Sequence, residues 1–129
     1  MSFPADAKRL LESEPLMAHL GTCVDERPHV APVWYVYDAD EGVVEVVTTG
    51  KKLENVRENS RVALSVEKSA DGGPEWAVTM LGTATVVDDE VENREARRRI
   101  NAKYGASPDA YAGNTLVRID VGSGTYRTY

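Results

Sequence analysis

Between Leu16 and Thr48 the chain carries three strand-like runs separated only by turns, and this spacing limits the fold more than any other feature. The runs are Leu16 to Val24, Pro28 to Asp38 and Val43 to Thr48. The second is dense in β-branched and aromatic residues: Val30, Val33, Trp34, Tyr35, Val36 and Tyr37. Asp25-Glu26-Arg27 reads as a turn, and Asp38-Ala39-Asp40-Glu41-Gly42 reads as a hairpin loop. Parallel neighbours need a crossover of roughly a dozen residues, which these turns do not supply. The three strands therefore form an antiparallel meander.

The remaining elements follow the same logic with helices interposed. A short helix opens the chain, with Pro4 in its first turn, Leu10 and Leu11 on its apolar edge and Pro15 as its stop. After Thr49-Gly50, Lys51 to Asn59 reads as a second short helix with Leu53 and Val56 on one face. Arg61 to Glu67 alternates Val62, Leu64 and Val66, the period of a half-buried strand. The loop Ser69 to Pro74 leads to a fifth strand, Trp76 to Val87. Asp88-Asp89 caps a long helix carrying Ala96, Ile100 and Tyr104, which Gly105 ends. Thr115 to Tyr126 is the last strand. The order α-β-β-β-α-β-β-α-β excludes a doubly wound parallel sheet. It predicts an α+β fold, a small antiparallel six-stranded barrel with flanking helices. Composition does not shift along the chain, so residues 1–129 are expected to be one domain.

Charge narrows the partners. Lys and Arg number 15 against 21 Asp and Glu, a formal net of −6, which argues against a general nucleic-acid or anionic-membrane binder. Arg94, Arg97, Arg98 and Arg99 are the densest basic cluster. Interleaved with Glu90, Glu92 and Glu95, they read as a solvated helix face held by i, i+3 and i, i+4 pairs. The apolar runs are too short to cross a bilayer, and MSFPADAKRLLESEP lacks the apolar stretch of a signal peptide, so the expected location is cytoplasmic. Cys23 is the single cysteine, which excludes an intrachain disulfide and any multi-thiolate zinc site.

Among local motifs, Gly122-Ser123-Gly124 begins like a dinucleotide fingerprint, but Arg127 replaces the third glycine and no helix follows. It reads as a bulge or turn in the last strand. His19 and His29 have no partner spacing that makes a metal site. The sharper signal is Thr48-Thr49-Gly50-Lys51-Lys52-Leu53-Glu54-Asn55-Val56, which puts two of the five lysines at a strand-to-helix junction after two hydroxyls. A helix N-terminus offers free N–H groups and a partial positive charge, so lysines are disfavoured there unless an anion compensates. A phosphate fits that mismatch; two solvated lysines are the alternative. Pro32, in the preceding strand run, cannot donate to a ladder, so its N side faces an edge or an opening.

These segments, Leu20 to Asp38, Thr48 to Arg61 and Trp76 to Asp89, taken in order resemble the FMN-binding split-barrel family typified by pyridoxamine 5'-phosphate oxidase. The resemblance covers roughly residues 5 to 127. It implies a homodimer with two flavin sites at the subunit interface. It places the backbone of Val30, Ala31, Pro32 and Val33 against the flavin ring, Thr48 and Thr49 beside the ribityl-phosphate tail, and Lys51 and Lys52 on the phosphate. Asn55, one turn on, would also reach the tail. The partner subunit would add residues around Trp76 and the Leu81-Gly82 step. Relatives often carry Ser-Arg-Lys where this chain has Gly50-Lys51-Lys52, so a hydroxyl and a bidentate arginine contact are missing. The chain also lacks an evident C-terminal substrate segment, which argues against pyridoxamine-phosphate oxidation itself.

The function implied is a flavin-dependent oxidoreductase acting on a small redox substrate, with FMN supplying the redox chemistry. No side chain stands out as a general acid or base, and Tyr35 and Tyr37 are possible flavin contacts. Three rival readings share the same barrel. One is a reductase using the deazaflavin F420, whose phosphate would meet the same lysines. Another is a haem binder using His19 or His29. The third is a flavin carrier without catalysis.

Overall fold

The structure, a computed structural model, describes residues 5–129, with side chains from residue 7 onward. Its helices are α1 (Ala5–Ser13), α2 (Gly50–Glu58) and α3 (Glu90–Lys103). Its strands are β1 (Ala18–Val24), β2 (Arg27–Val33), β3 (Tyr35–Asp38), β4 (Val43–Thr48), β5 (Arg61–Ala70), β6 (Gly73–Val87) and β7 (Thr115–Thr128). Pro4, expected in the first turn of α1, lies outside the described residues. No helix among them is long and apolar enough to cross a membrane.

All pairings are antiparallel, in the order β2-β1-β5-β6-β7-β4-β3. The strand expected over Pro28 to Asp38 divides at Trp34, giving seven strands rather than six. The cause is topological: β2 pairs only with β1 and β3 only with β4, at opposite edges of the sheet. One unbroken strand cannot serve both ladders. Because Trp34 alone separates those edges, the curled sheet brings them together there, and the fold is a split barrel.

Two turns are tighter than the sequence reading expected. Asp25 (φ 51°) and Glu26 (φ 64°) alone join β1 to β2, and Asp71 (φ 51°) with Gly72 (φ 79°) alone joins β5 to β6. Paired left-handed residues match the twist of a two-residue hairpin, so both ladders run to the turn, Arg27 joining β2 and Ser69, Ala70, Gly73 and Pro74 joining the β5–β6 ladder. The Gly122 region is the expected bulge. Leu81 faces Ser123 while Gly82 faces Val121, leaving Gly122 as the extra residue of β7.

The barrel interior is filled by alternating side chains, among them Leu20, Tyr35, Val44, Val46, Leu64, Val66, Val78, Met80 and Ile119, all 0–1% exposed. From Val44 to Thr48, β4 is buried at every residue because α3 covers its outer face. There Val47 and Leu116 meet Ala96 and Ile100 of α3 in a second cluster. Asp89 caps α3 as expected, its Oδ2 accepting from the Glu92 N–H at 2.9 Å.

The basic cluster on α3 differs from expectation. Three of its four arginines reach off the helix: Arg97 donates to the Asn114 carbonyl (3.1 Å), Arg98 pairs with Asp109 (3.0 Å) and Arg99 pairs with Glu45 (2.7 Å). Arg118 joins Glu45 and Glu92 to that network. The cluster is a set of staples fixing α3 to β4, β7 and the loop before β7. Its i, i+4 glutamates are not the partners.

Candidate functional site

An open cleft of about 250 Å³ lies where the barrel seam meets the start of α2. Its walls come from five parts of the chain, one of them Asn101 of α3. Pro32, Val33 and Trp34 stand at the seam, Thr48, Thr49 and Lys52 at the β4–α2 junction, Met17 before β1, and Tyr111 with Asn114 on the loop before β7. Five of the ten residues expected at a cofactor site therefore meet in one place.

The β4–α2 junction is built to leave donors open. Thr49 is the N-cap of α2 in extended conformation (φ −151°, ψ 179°), yet its hydroxyl makes no capping bond, and the first turn of the helix has no acidic residue. α3 is the opposite case, with Asp89 as cap and Glu90 and Glu92 in its first turn. Gly50, at φ 70°, makes the bend between strand and helix in a region that L side chains rarely adopt. The result is an uncompensated positive helix end with Lys52 half-buried beside the Thr48 and Thr49 hydroxyls, a site suited to an anion.

The other expected residues stand elsewhere. Lys51 is exposed and does not line the cleft. Asn55 is buried, and its amide donates to Thr22 Oγ1 at 3.0 Å; with Asn59, which donates to the Cys23 carbonyl, it fastens α2 to β1. Ala31 is half-buried on β2, one residue beyond the cleft lining. Val30 is 68% exposed and borders an apolar groove on the outer sheet with Pro28, His29, Ala63 and Leu81. Trp76 is packed inside this chain's own core. Tyr35 and Tyr37 are also core residues: the Tyr35 hydroxyl donates to the Leu11 carbonyl at 2.7 Å, and burial pushes its acidity down.

Sequence reading missed the aromatic wall. Trp34 stacks on Tyr104 (4.6 Å, 4° between planes) and meets Tyr111 edge-on (5.5 Å, 87°). Behind it, the Tyr104 hydroxyl donates to the Leu16 carbonyl and receives the Tyr35 N–H. Lys103 Nζ lies 3.7 Å above the Tyr35 ring and donates to the Tyr35 carbonyl at 3.0 Å. Burial pushes this ammonium down to about 8, against the opposing pull of Glu12. The buried Asn101 donates to the carbonyls of Pro108 and Ala110 and so shapes the loop that carries Tyr111. A polar asparagine beside Ile100 on the buried helix face was the one sequence signal for this.

The histidines do not converge. His19 is exposed, and His29 has a buried Nδ1 without a hydrogen-bond partner. No group of His, Cys, Asp or Glu that could hold a metal occurs among the described residues.

Comparison with known proteins agrees with this architecture. The chain is similar to an FAD-binding protein from Mesorhizobium loti (21% identity, 98% of this chain and 96% of that one, TM-score 0.78). It is similar to an F420 reductase (24% identity, 91% and 94%, TM-score 0.73). A conserved protein of unknown function from Corynebacterium diphtheriae shares 30% identity over 99% and 95% of the two chains, with TM-score 0.72. No curated protein matches the sequence. The family model for pyridoxamine 5'-phosphate oxidase matches residues 4–128, the whole of the seven-stranded barrel, and the chain belongs to that family.

Proposed function

We propose that this chain is an FMN-binding, flavin-dependent oxidoreductase that holds the flavin phosphate at the start of α2. The observation that carries the reading is the convergence of Pro32, Val33, Thr48, Thr49 and Lys52 on one cleft beside an uncapped helix end. Lys52 and the α2 N–H groups neutralise the phosphate, and the threonine hydroxyls donate to it. Val33 and Pro32 offer an apolar, low-donor edge that would hold the ring system, and the break after Val33 frees backbone groups from the ladder. When bound, the flavin supplies the hydride or electron transfer. This chain would orient it and exclude water with Met17, Val47 and Trp34.

A cleft of about 250 Å³ is smaller than the roughly 300–1,000 Å³ of a complete small-molecule pocket. We therefore propose that the site is finished by a second copy of the chain, as a homodimer. The apolar groove around Val30 and Leu81, which are 68% and 58% exposed, is the face that a second copy would cover.

The test is a titration of the purified protein with FMN and with riboflavin, read by flavin fluorescence and absorbance. FMN binding tighter than riboflavin binding is the expected result, and equal affinity refutes the phosphate site. The same cleft chemistry accepts the phosphate of F420, a cofactor named for one structural neighbour. The absorbance of protein as purified separates flavin, deazaflavin and haem.

A further inference from the structure

Among the described residues, four non-glycine residues have a left-handed backbone, and three of them, Asp25, Glu26 and Asp71, sit in two-residue hairpin turns that demand it. Tyr111 is the fourth, at φ 57°, and no hairpin requires it. Glycine would hold this position without strain, and a bulky side chain there is an outlier. The ring gives the fold little in return, since it is 58% exposed and belongs to neither core cluster. Even so, the loop is pinned in this conformation by Asn101, by Arg97 on the Asn114 carbonyl and by the Arg98–Asp109 pair. An outlier held this firmly at a cleft wall points to recognition.

The surroundings say what is recognised. Tyr111 and Trp34 stand perpendicular and form an aromatic corner, backed by the Tyr104 ring parallel to Trp34. Such a corner suits a flat ring, which gains stacking and edge contacts together. Asn114 lines the same cleft, and no hydrogen bond among the described residues engages its carboxamide, which offers one acceptor and two donors. The Trp34 indole N–H and the Tyr111 hydroxyl are likewise unengaged. A carboxamide partner satisfies both halves of Asn114 at once. The anion-binding residues are on the β4–α2 side of the cleft, so the corner is left for an uncharged group.

We propose that Trp34, Tyr111 and Asn114 form the recognition site for the second reactant, and that it takes a planar aromatic carboxamide, the chemistry presented by a nicotinamide ring. The role of second reactant rests on the flavin reading above; binding of the ring does not.

The test uses saturation-transfer NMR on the full chain, with nicotinamide as probe and cyclohexanecarboxamide and pyridine as its non-planar and amide-free counterparts. Nicotinamide should give the strongest transfer. Tyr111→Gly should weaken it about fivefold, the size of one aromatic contact, while the melting temperature stays level or rises because the backbone strain is relieved. Asn114→Ala should abolish the preference for nicotinamide over pyridine and keeps the test decisive if the glycine variant misfolds. Equal transfer from cyclohexanecarboxamide, no nicotinamide transfer in the wild type, or undiminished binding in both variants overturns the proposal. Failure of the flavin reading is seen separately, as protein that takes up no FMN and still binds nicotinamide.

Discussion

Replacing Gly82 by alanine tests the β6–β7 ladder where it is least forgiving. A Cβ at this position would lie 2.6 Å from the Asp120 carbonyl oxygen, 2.8 Å from Ile119 Cγ2 and 3.3 Å from the Asp120 carbonyl carbon. None of these is the free end of a flexible side chain: two belong to the backbone of β7, and Ile119 is 1% exposed in the core. Relief requires β7 to move away from β6 at the bulge, along the barrel's longest pairing. Overpacking of this kind costs about 1–3 kcal/mol. Alanine recovers about 0.4–1 kcal/mol by narrowing the unfolded ensemble. The net expectation is a loss of about 1–2 kcal/mol, which lowers the melting temperature by roughly 4–8 °C in a domain of this size. Gly122→Ala is the internal control. It lies on the same bulge, but its nearest neighbour, the Leu81 carbonyl oxygen, would be 3.6 Å away, an ordinary contact. That variant should stay within about 0.5 kcal/mol of wild type. Thermal unfolding of the three proteins by circular dichroism gives the comparison. A Gly82→Ala protein that melts with or above wild type would show that β7 yields at the bulge, and the close-approach argument would be wrong.

Three further outcomes are expected. Lys52→Ala should weaken FMN binding by about 1.5–3 kcal/mol, the scale of a hydrogen bond to a charged group, and leave riboflavin binding nearly unchanged; equal losses in parallel titrations would mean the lysine acts through folding. Lys103 is held near 8 in the fold against 10.5 unfolded, so between those values the unfolded chain binds more protons and stability should rise with pH. Above about 10 the sign reverses, because Tyr35 and Tyr104 stay protonated in the fold while unfolded tyrosines ionise. Urea midpoints across this range should show the maximum, and Lys103→Met should remove the rising limb. Val30→Glu puts a charge on the apolar groove without touching the core, so if the proposed homodimer forms through this groove, sedimentation should show a dimer for the wild type and a monomer for the variant; the same species for both refutes this groove as the interface.

Much of the barrel was legible because it is local. Alternating Val62, Leu64 and Val66, the Asp89 cap and the Lys51–Lys52 junction each declare themselves within a few residues. The break at Trp34 was not, since nothing near it distinguishes a long strand from two short ones. It follows from β2 and β3 finding partners at opposite edges. The cleft divides along the same line. Its β4–α2 end, where we propose the phosphate binds, is one contiguous segment, whereas Met17, Trp34, Tyr111 and Asn114 meet only when the sheet curls. Asn55 misled for a related reason: its place on the helix was read correctly, but β1 passes beneath it and takes its amide.

The two edges that face across the seam also govern how this protein can meet copies of itself. An unpaired strand normally offers a row of donors and acceptors on which another chain can grow. On β2, Pro28 and Pro32 flank Val30 two residues to either side, so along that margin only Val30 retains an N–H. The other margin, β3, is four residues long and is cut off by Trp34 before it and the Asp38 turn after it. Neither margin can template an added strand. Self-association is thereby steered to side-chain faces and away from the strand-on-strand stacking that leads to fibres.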